Sequence, residues 1–288
     1  MKKLLVAFLA LVSFANASDV VVGGKNFTEQ QFLAEMTTQL FEANSISVDK
    51  KSGMGSTVLR KAQVHGQIDV YWEYTGTSLI TYNKVKEKLS ADEVYKRVKM
   101  LDAKVGLVWL NPSKANNTYA LAMRIADKSK YNIYTISDLA KAMNDKKDIK
   151  VGMNSEFSAR ADGMPGVEKT YKFKTPRKLK VKMDSGLIYT ALKEKNIEVG
   201  LVFATDGRIS AFGFYTLTDD KGFFPNYAIV PVVRAETLKK FPKIEGLLNK
   251  VSAVLTDEVM RKMNRTIDVE KKSIKEVAKN FLKDNGLI

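Results

Sequence analysis

The chain has 288 residues, 45% hydrophobic and 27% charged, with no cysteine. That composition suits a globular protein large enough to bury a core without staples. The missing cysteine excludes disulfides, zinc–thiolate sites, a cysteine nucleophile and a lipid-modified cysteine. A formal charge of +15 is the one property that points to nucleic acid. The lysines over 84–104 and 141–150 are interspersed with acids, however, and read as solvated faces that aid solubility or attraction to an anionic surface.

The chain opens on Lys2 and Lys3, an apolar run over 4–14 and the small-x-small triplet Ala15-Asn16-Ala17. This pattern predicts a signal peptide over 1–17, an N-terminal membrane anchor being the alternative. No later segment approaches the ~18 uninterrupted apolar residues of a membrane span, so the mature chain is expected in a periplasm, without a lipid anchor. Residues 19–22 read as a strand, followed by a helix from Thr28 with a capping box Thr28-x-x-Gln31 and an apolar face of Phe32, Leu33, Met36, Leu40 and Phe41. A helix over 56–65 and a strand over 68–72 come next. Ser90-x-x-Glu93 caps a helix reaching about 103, and strands follow at 106–110 and 119–124. The theme repeats with helices at 137–143 and 185–195 and strands at 150–153, 199–203 and 227–233. Helices at 242–254, 256–264 and 269–284 finish the chain.

Alternating strands and helices predict an α/β fold of parallel sheets covered by helices. With no Pro- or Ser-rich linker, the expected arrangement is two lobes between which the chain crosses and returns. The lobes are 18–118 with 228–288, and 119–227, with crossings at 119–124 and 227–233. Lobes of this kind bind ligands at the carboxyl ends of their strands. Three clusters fall there: Gly24-Lys25-Asn26, Glu73-Tyr74-Thr75-Gly76-Thr77 and Ala204-Thr205-Asp206-Gly207.

The signs of catalysis are thin. His65 is the only histidine, in a polar helical stretch that reads as surface. There is no metal-ligand spacing, no Gly-x-Ser-x-Gly elbow and no phosphate loop. Carboxylates are plentiful, so an acid–base pair stays open, but none stands out. Tyr74, Tyr119 and Tyr227 sit at strand ends or crossings; each alone reads as packing as readily as ligand contact. Their polar neighbours, Thr75-Gly76-Thr77, Asn116-Asn117-Thr118 and Asn226, favour a site.

Six segments in order extend this into a family resemblance. They are Gly24-Lys25-Asn26-Phe27-Thr28-Glu29-Gln30, Asp69-Val70-Tyr71-Trp72-Glu73-Tyr74-Thr75-Gly76-Thr77, Gly106-Leu107-Val108-Trp109-Leu110, Asn116-Asn117-Thr118-Tyr119-Ala120-Leu121-Ala122, Thr205-Asp206-Gly207-Arg208-Ile209 and Asp219-Asp220-Lys221-x-Phe223-Phe224-Pro225. Together they resemble the substrate-binding proteins of glycine betaine/choline ABC importers over essentially the whole mature chain. The resemblance implies a two-lobed periplasmic binding protein fold of type II. It also implies a non-enzymatic role, no cofactor or metal, a quaternary-ammonium ligand, a permease in the inner membrane, no nucleic acid, and a monomer.

The resemblance places the trimethylammonium group in a cage of Tyr74, Tyr119, Tyr227 and Phe203, with the backbone carbonyl of Asn117 at its rim. Phe203 departs from the tyrosine usual in relatives but keeps a π-face. The chemistry is apt: a cation without N–H donors is recognised by aromatic faces, each worth about 0.5–2 kcal/mol when desolvated. Lys25, Arg160 and Thr77 match the positions that hold a betaine carboxylate, and an arginine fork suits that geometry. Two other readings stay open: Arg160 salt-bridged to Glu156 or Asp162, and Lys25 as a solvated loop lysine. Choline, carnitine and ergothioneine are the alternative ligands. A periplasmic enzyme on a similar fold and a basic surface-interaction protein are the rivals from other classes.

Overall fold

The computed structural model describes residues 18–288, and the stretch read as a signal peptide lies outside the described residues. The strands are β1 (Val20–Lys25), β2 (Val48–Met54), β3 (Val70–Tyr74), β4 (Leu107–Trp109), β5 (Tyr119–Arg124), β6 (Val151–Met153), β7 (Lys180–Lys182), β8 (Val199–Phe203), β9 (Phe214–Thr216) and β10 (Ile229–Arg234). They form two five-stranded sheets, in the orders β2-β1-β3-β10-β4 and β7-β6-β8-β5-β9.

The sheets are mixed rather than parallel. In the first, β1 runs parallel to β2 and β3, while β10 is antiparallel to β3 and β4. In the second, β6 is parallel to β7 and β8, while β5 is antiparallel to β8 and β9. The antiparallel member is in each case the strand that has just arrived from the other sheet. Central strands covered on both faces read as unbroken apolar runs: every residue of β3 (VYWEY) and β8 (VGLVF) is buried.

The crossings therefore lie earlier than expected. Residues 119–124 and 229–234 are already ladder strands, and the chain passes between the sheets over 110–118 and 217–228. These two passages touch each other. Asn116 bridges Ala228, the Asn117 N–H donates to the Tyr227 carbonyl at 3.2 Å, and the Tyr227 N–H donates to Asn116 Oδ1 at 2.8 Å.

Helix Thr28–Ala43 starts one residue earlier than the capping-box reading allows. Phe27, with φ −138° and ψ 159°, is its N-cap, and the Thr28 hydroxyl bonds Asp268 instead. The Ser90 box does form, at the head of helix Ala91–Ala103. The C-terminal helices Asp257–Asp268 and Ile274–Asp284 pack on helix Thr28–Ala43, with Phe32 edge-on to Phe281 at 5.7 Å. Among the described residues, no helix is long and apolar enough to cross a membrane.

Candidate functional site

The carboxyl ends of β1, β3 and β8 deliver Lys25, Tyr74 and Phe203, the first residue of β5 is Tyr119, and the crossings deliver Asn117 and Tyr227. With Thr77 and Arg160, all of these line one cavity of about 190 Å³. Such a volume is below the range of drug-sized pockets and fits a small metabolite. His65, at the end of helix Ser56–Val64, is exposed and outside this cavity. Among the described residues no His, Cys, Asp or Glu cluster is placed to hold a metal ion.

The rings form a continuous set. Tyr119 lies 5.2 Å from Tyr227 and 5.5 Å from Phe203, centroid to centroid. Phe27 stacks on Phe203 at 5.4 Å with planes 8° apart, and reaches Tyr74 at 6.2 Å. Phe157 backs Tyr119 edge-on at 5.1 Å. Gly76 is needed behind Tyr227, because a Cβ there would meet the tyrosine ring and the Asn226 carbonyl at 2.8 Å. Burial pushes the Tyr74, Tyr119 and Tyr227 hydroxyls up, so the rings are neutral at physiological pH.

The cations of the cavity are already partnered. Lys25 is buried rather than solvated, and its ammonium donates to Glu73 Oε1 at 2.5 Å while lying 4.7 Å from the Tyr74 centroid. Glu73 also accepts from the hydroxyls of Tyr71 at 2.7 Å and Tyr82 at 3.1 Å. Burial pushes the Lys25 pKa down, against the pull of Glu73. Arg160 grips Asp162 through Nε at 2.8 Å and Nη2 at 2.5 Å, and Nη2 also reaches the Thr77 hydroxyl at 3.2 Å. Asp162 accepts in turn from the Tyr227 hydroxyl at 2.7 Å. Burial works to lower the Arg160 pKa, but the Asp162 carboxylate outweighs it and holds the guanidinium charged.

Glu29 ties the aromatic set together from behind. Its Oε1 accepts from the Tyr74 hydroxyl at 2.8 Å and Asn117 Nδ2 at 2.7 Å; its Oε2 accepts from the Thr205 hydroxyl at 2.5 Å and Asn264 Nδ2 at 3.3 Å. No lysine or arginine pairs with it among the described residues. Burial pushes its carboxyl above the ordinary glutamate value, in spite of these four donors. Further contacts close the groove between the sheets: the Ser56 N–H donates to Glu156 Oε1 at 2.7 Å, and Arg208 lies 3.2 Å from Asp268.

This geometry coincides with a family match. The family described as the substrate-binding domain of ABC-type glycine betaine transport systems covers residues 18–284. The chain belongs to that family. A relative named as the glycine-betaine-binding protein of Pseudomonas aeruginosa is 40% identical, over 98% of this chain and 93% of its own length. The glycine betaine-binding protein YehZ of Escherichia coli is 32% identical, over 94% of this chain and 92% of its own. A solved structure described as a glycine betaine/carnitine/choline ABC transporter superposes with a TM-score of 0.73 at 29% identity, covering 93% of this chain and 99% of that one. The fold is the two-lobed, type II architecture of periplasmic binding proteins, and members of the family are solute-binding proteins of importers.

Sequence reasoning passed over Phe27, Ser56, Asn154, Glu156 and Asp184, which share the cavity lining. Phe27 carried a usable signal: it is an aromatic two residues beyond Lys25, at a strand-to-helix turn. Ser56 and Glu156 contribute through a backbone N–H and a cross-sheet bond, for which local sequence has no mark.

Proposed function

We propose that this chain captures a quaternary-ammonium compound of the betaine type and hands it to the membrane permease of an ABC importer. The supporting observation is the convergence of Phe27, Tyr74, Tyr119, Phe203 and Tyr227 on a small cavity that also holds Lys25, Arg160 and Thr77. Several aromatic faces, at about 0.5–2 kcal/mol each when desolvated, supply the affinity for a methylated cation that has no N–H to donate. The donors left over on Lys25 and Arg160, after Glu73 and Asp162 have taken theirs, are the carboxylate's partners.

In this reading the lobes, 18–118 with 228–288 and 119–227, close over the ligand because only the closed form makes contacts from both sides. The protein performs no chemistry on the ligand. It works as a monomer in the periplasm after loss of residues 1–17, without a lipid anchor, and carries no cofactor. Isothermal titration of residues 18–288 with glycine betaine, choline, carnitine and ergothioneine tests this. Saturable 1:1 binding, with the ligand recovered unchanged by NMR, is the expected result. Silence toward all four compounds overturns the proposal, and turnover of any of them replaces it with an enzyme.

A further inference from the structure

The cavity contains a carboxylate that the betaine reading does not use. Glu156 accepts the N–H of Ser56, the first residue of helix Ser56–Val64, through Oε1 at 2.7 Å. Its Oε2 lies 3.6 Å from Arg160 Nη1. The remaining guanidinium edge is committed to Asp162 and Thr77. Glu156 therefore rests on the two donors of this corner that have no other acceptor: a free N–H at a helix start, where anions are favoured, and the open Nη1 of a buried arginine. That is the seat a small ligand's carboxylate would take.

The charges deepen the point. Lys25 is matched by Glu73, and Arg160 by Asp162, so Glu156 is, with Asp184, a surplus negative charge on the cavity wall, and the one of the two in contact with Arg160. It is also free to leave. Its side chain is 37% exposed, against 8% for Arg160 and none for Asp162.

We propose that Glu156 is a specificity-determining residue: an internal carboxylate that occupies the anion seat and sets the balance between cationic and zwitterionic ligands. This rests on the quaternary-ammonium reading above. A ligand such as choline, with no anion, leaves Glu156 in place and gains its field. A betaine brings its own carboxylate, and must either swing Glu156 out toward solvent or bear its repulsion. At about 4 Å a unit charge is worth roughly fivefold in affinity when fully water-screened, and well over tenfold at the dielectric of a protein surface.

The test is titration of glycine betaine and choline against the wild-type protein, Glu156→Ala and Glu156→Gln, with the melting temperature of each ligand-free variant. Glu156→Ala empties the seat, and the ratio of choline to glycine betaine affinity is expected to fall about tenfold or more. Glu156→Gln keeps an acceptor for the Ser56 N–H but removes the charge. It is expected to weaken choline like the alanine variant while improving glycine betaine less. Both ligands weakening in parallel in folded variants would make Glu156 a closing latch and overturn the inference, leaving the betaine reading intact. Wild-type protein that binds neither ligand would remove that reading, and this inference with it.

Discussion

Replacing Tyr119 by leucine separates the ring's role in recognition from its role in packing. Tyr119 is 9% exposed, and its ring is surrounded by Phe157 at 5.1 Å, Tyr227 at 5.2 Å, Phe203 at 5.5 Å and Phe224 at 6.2 Å. The Arg160 guanidinium lies 5.6 Å from its centroid, so the protein's own cation already draws on this ring. Leucine fills most of the volume and keeps apolar contact, but has no quadrupole. The loss of one desolvated face is about 0.5–2 kcal/mol, or roughly a 2- to 30-fold weaker Kd at 1.4 kcal/mol per tenfold. Choline is the informative titrant, since it has no carboxylate through which Arg160 could compensate. The lost ring–ring contacts, each about 0.5–1.5 kcal/mol, should also lower the melting temperature of the ligand-free protein. Tyr119→Phe keeps the face and is expected to stay within about twofold of the wild-type Kd. A folded Tyr119→Leu protein that binds choline as tightly as wild type would refute the cage argument at its central ring.

Lys25→Ala should cost stability before it reports on binding, because it strands the buried Glu73 carboxylate; about 3–5 kcal/mol is expected by urea unfolding, and a loss under 1 kcal/mol would contradict a buried ion pair at this position. The folded protein holds the Glu29 proton more tightly than the unfolded chain does. That group therefore adds stability below the unfolded glutamate pKa of about 4.3, and the contribution is lost as pH rises through the higher folded value. Glu29→Gln cannot titrate, so the wild-type advantage in melting temperature should shrink from about pH 4 upward; an advantage that grows would contradict it. Gly76→Ala pushes a methyl into the Tyr227 ring, with an expected cost of about 1–3 kcal/mol and weaker ligand binding by titration. Raising NaCl from about 50 to about 500 mM should change the Kd for choline less than about threefold, because an enclosed site is poorly screened; the steep loss typical of phosphate-backbone binding would restore the basic-surface reading.

Much of the site was legible because its residues fall at strand ends, where local pattern is strongest. Tyr74 closes a five-residue buried strand, and Phe203 closes another. The charge pairs were harder to see. Lys25 meets Glu73 across 48 positions, and nothing local distinguishes a paired lysine from a solvated one. Arg160 was half legible, since its partner Asp162 stands two residues away. Weakly patterned elements escaped as well. β2, VDKKSGM, is an edge strand with four exposed residues in its middle, and β7 and β9 have three residues each. The cap of helix Thr28–Ala43 was misread because a bulky Phe27 took the extended conformation that a Ser, Thr, Asp or Asn usually supplies.

The placing of β10 between β3 and β4 has a consequence for how the chain reaches this structure. The second sheet is drawn from one continuous stretch, β5 to β9, and can assemble as soon as that stretch exists. The first cannot. Until residue 234 arrives, β3 keeps one edge bare and β4, whose only ladder partner is β10, has none. Helix Thr28–Ala43 likewise waits for residues beyond 256 to cover it. The part of the molecule synthesised first is thus completed last, through contacts of long sequence separation that form slowly and leave strand edges open to wrong pairing in the meantime.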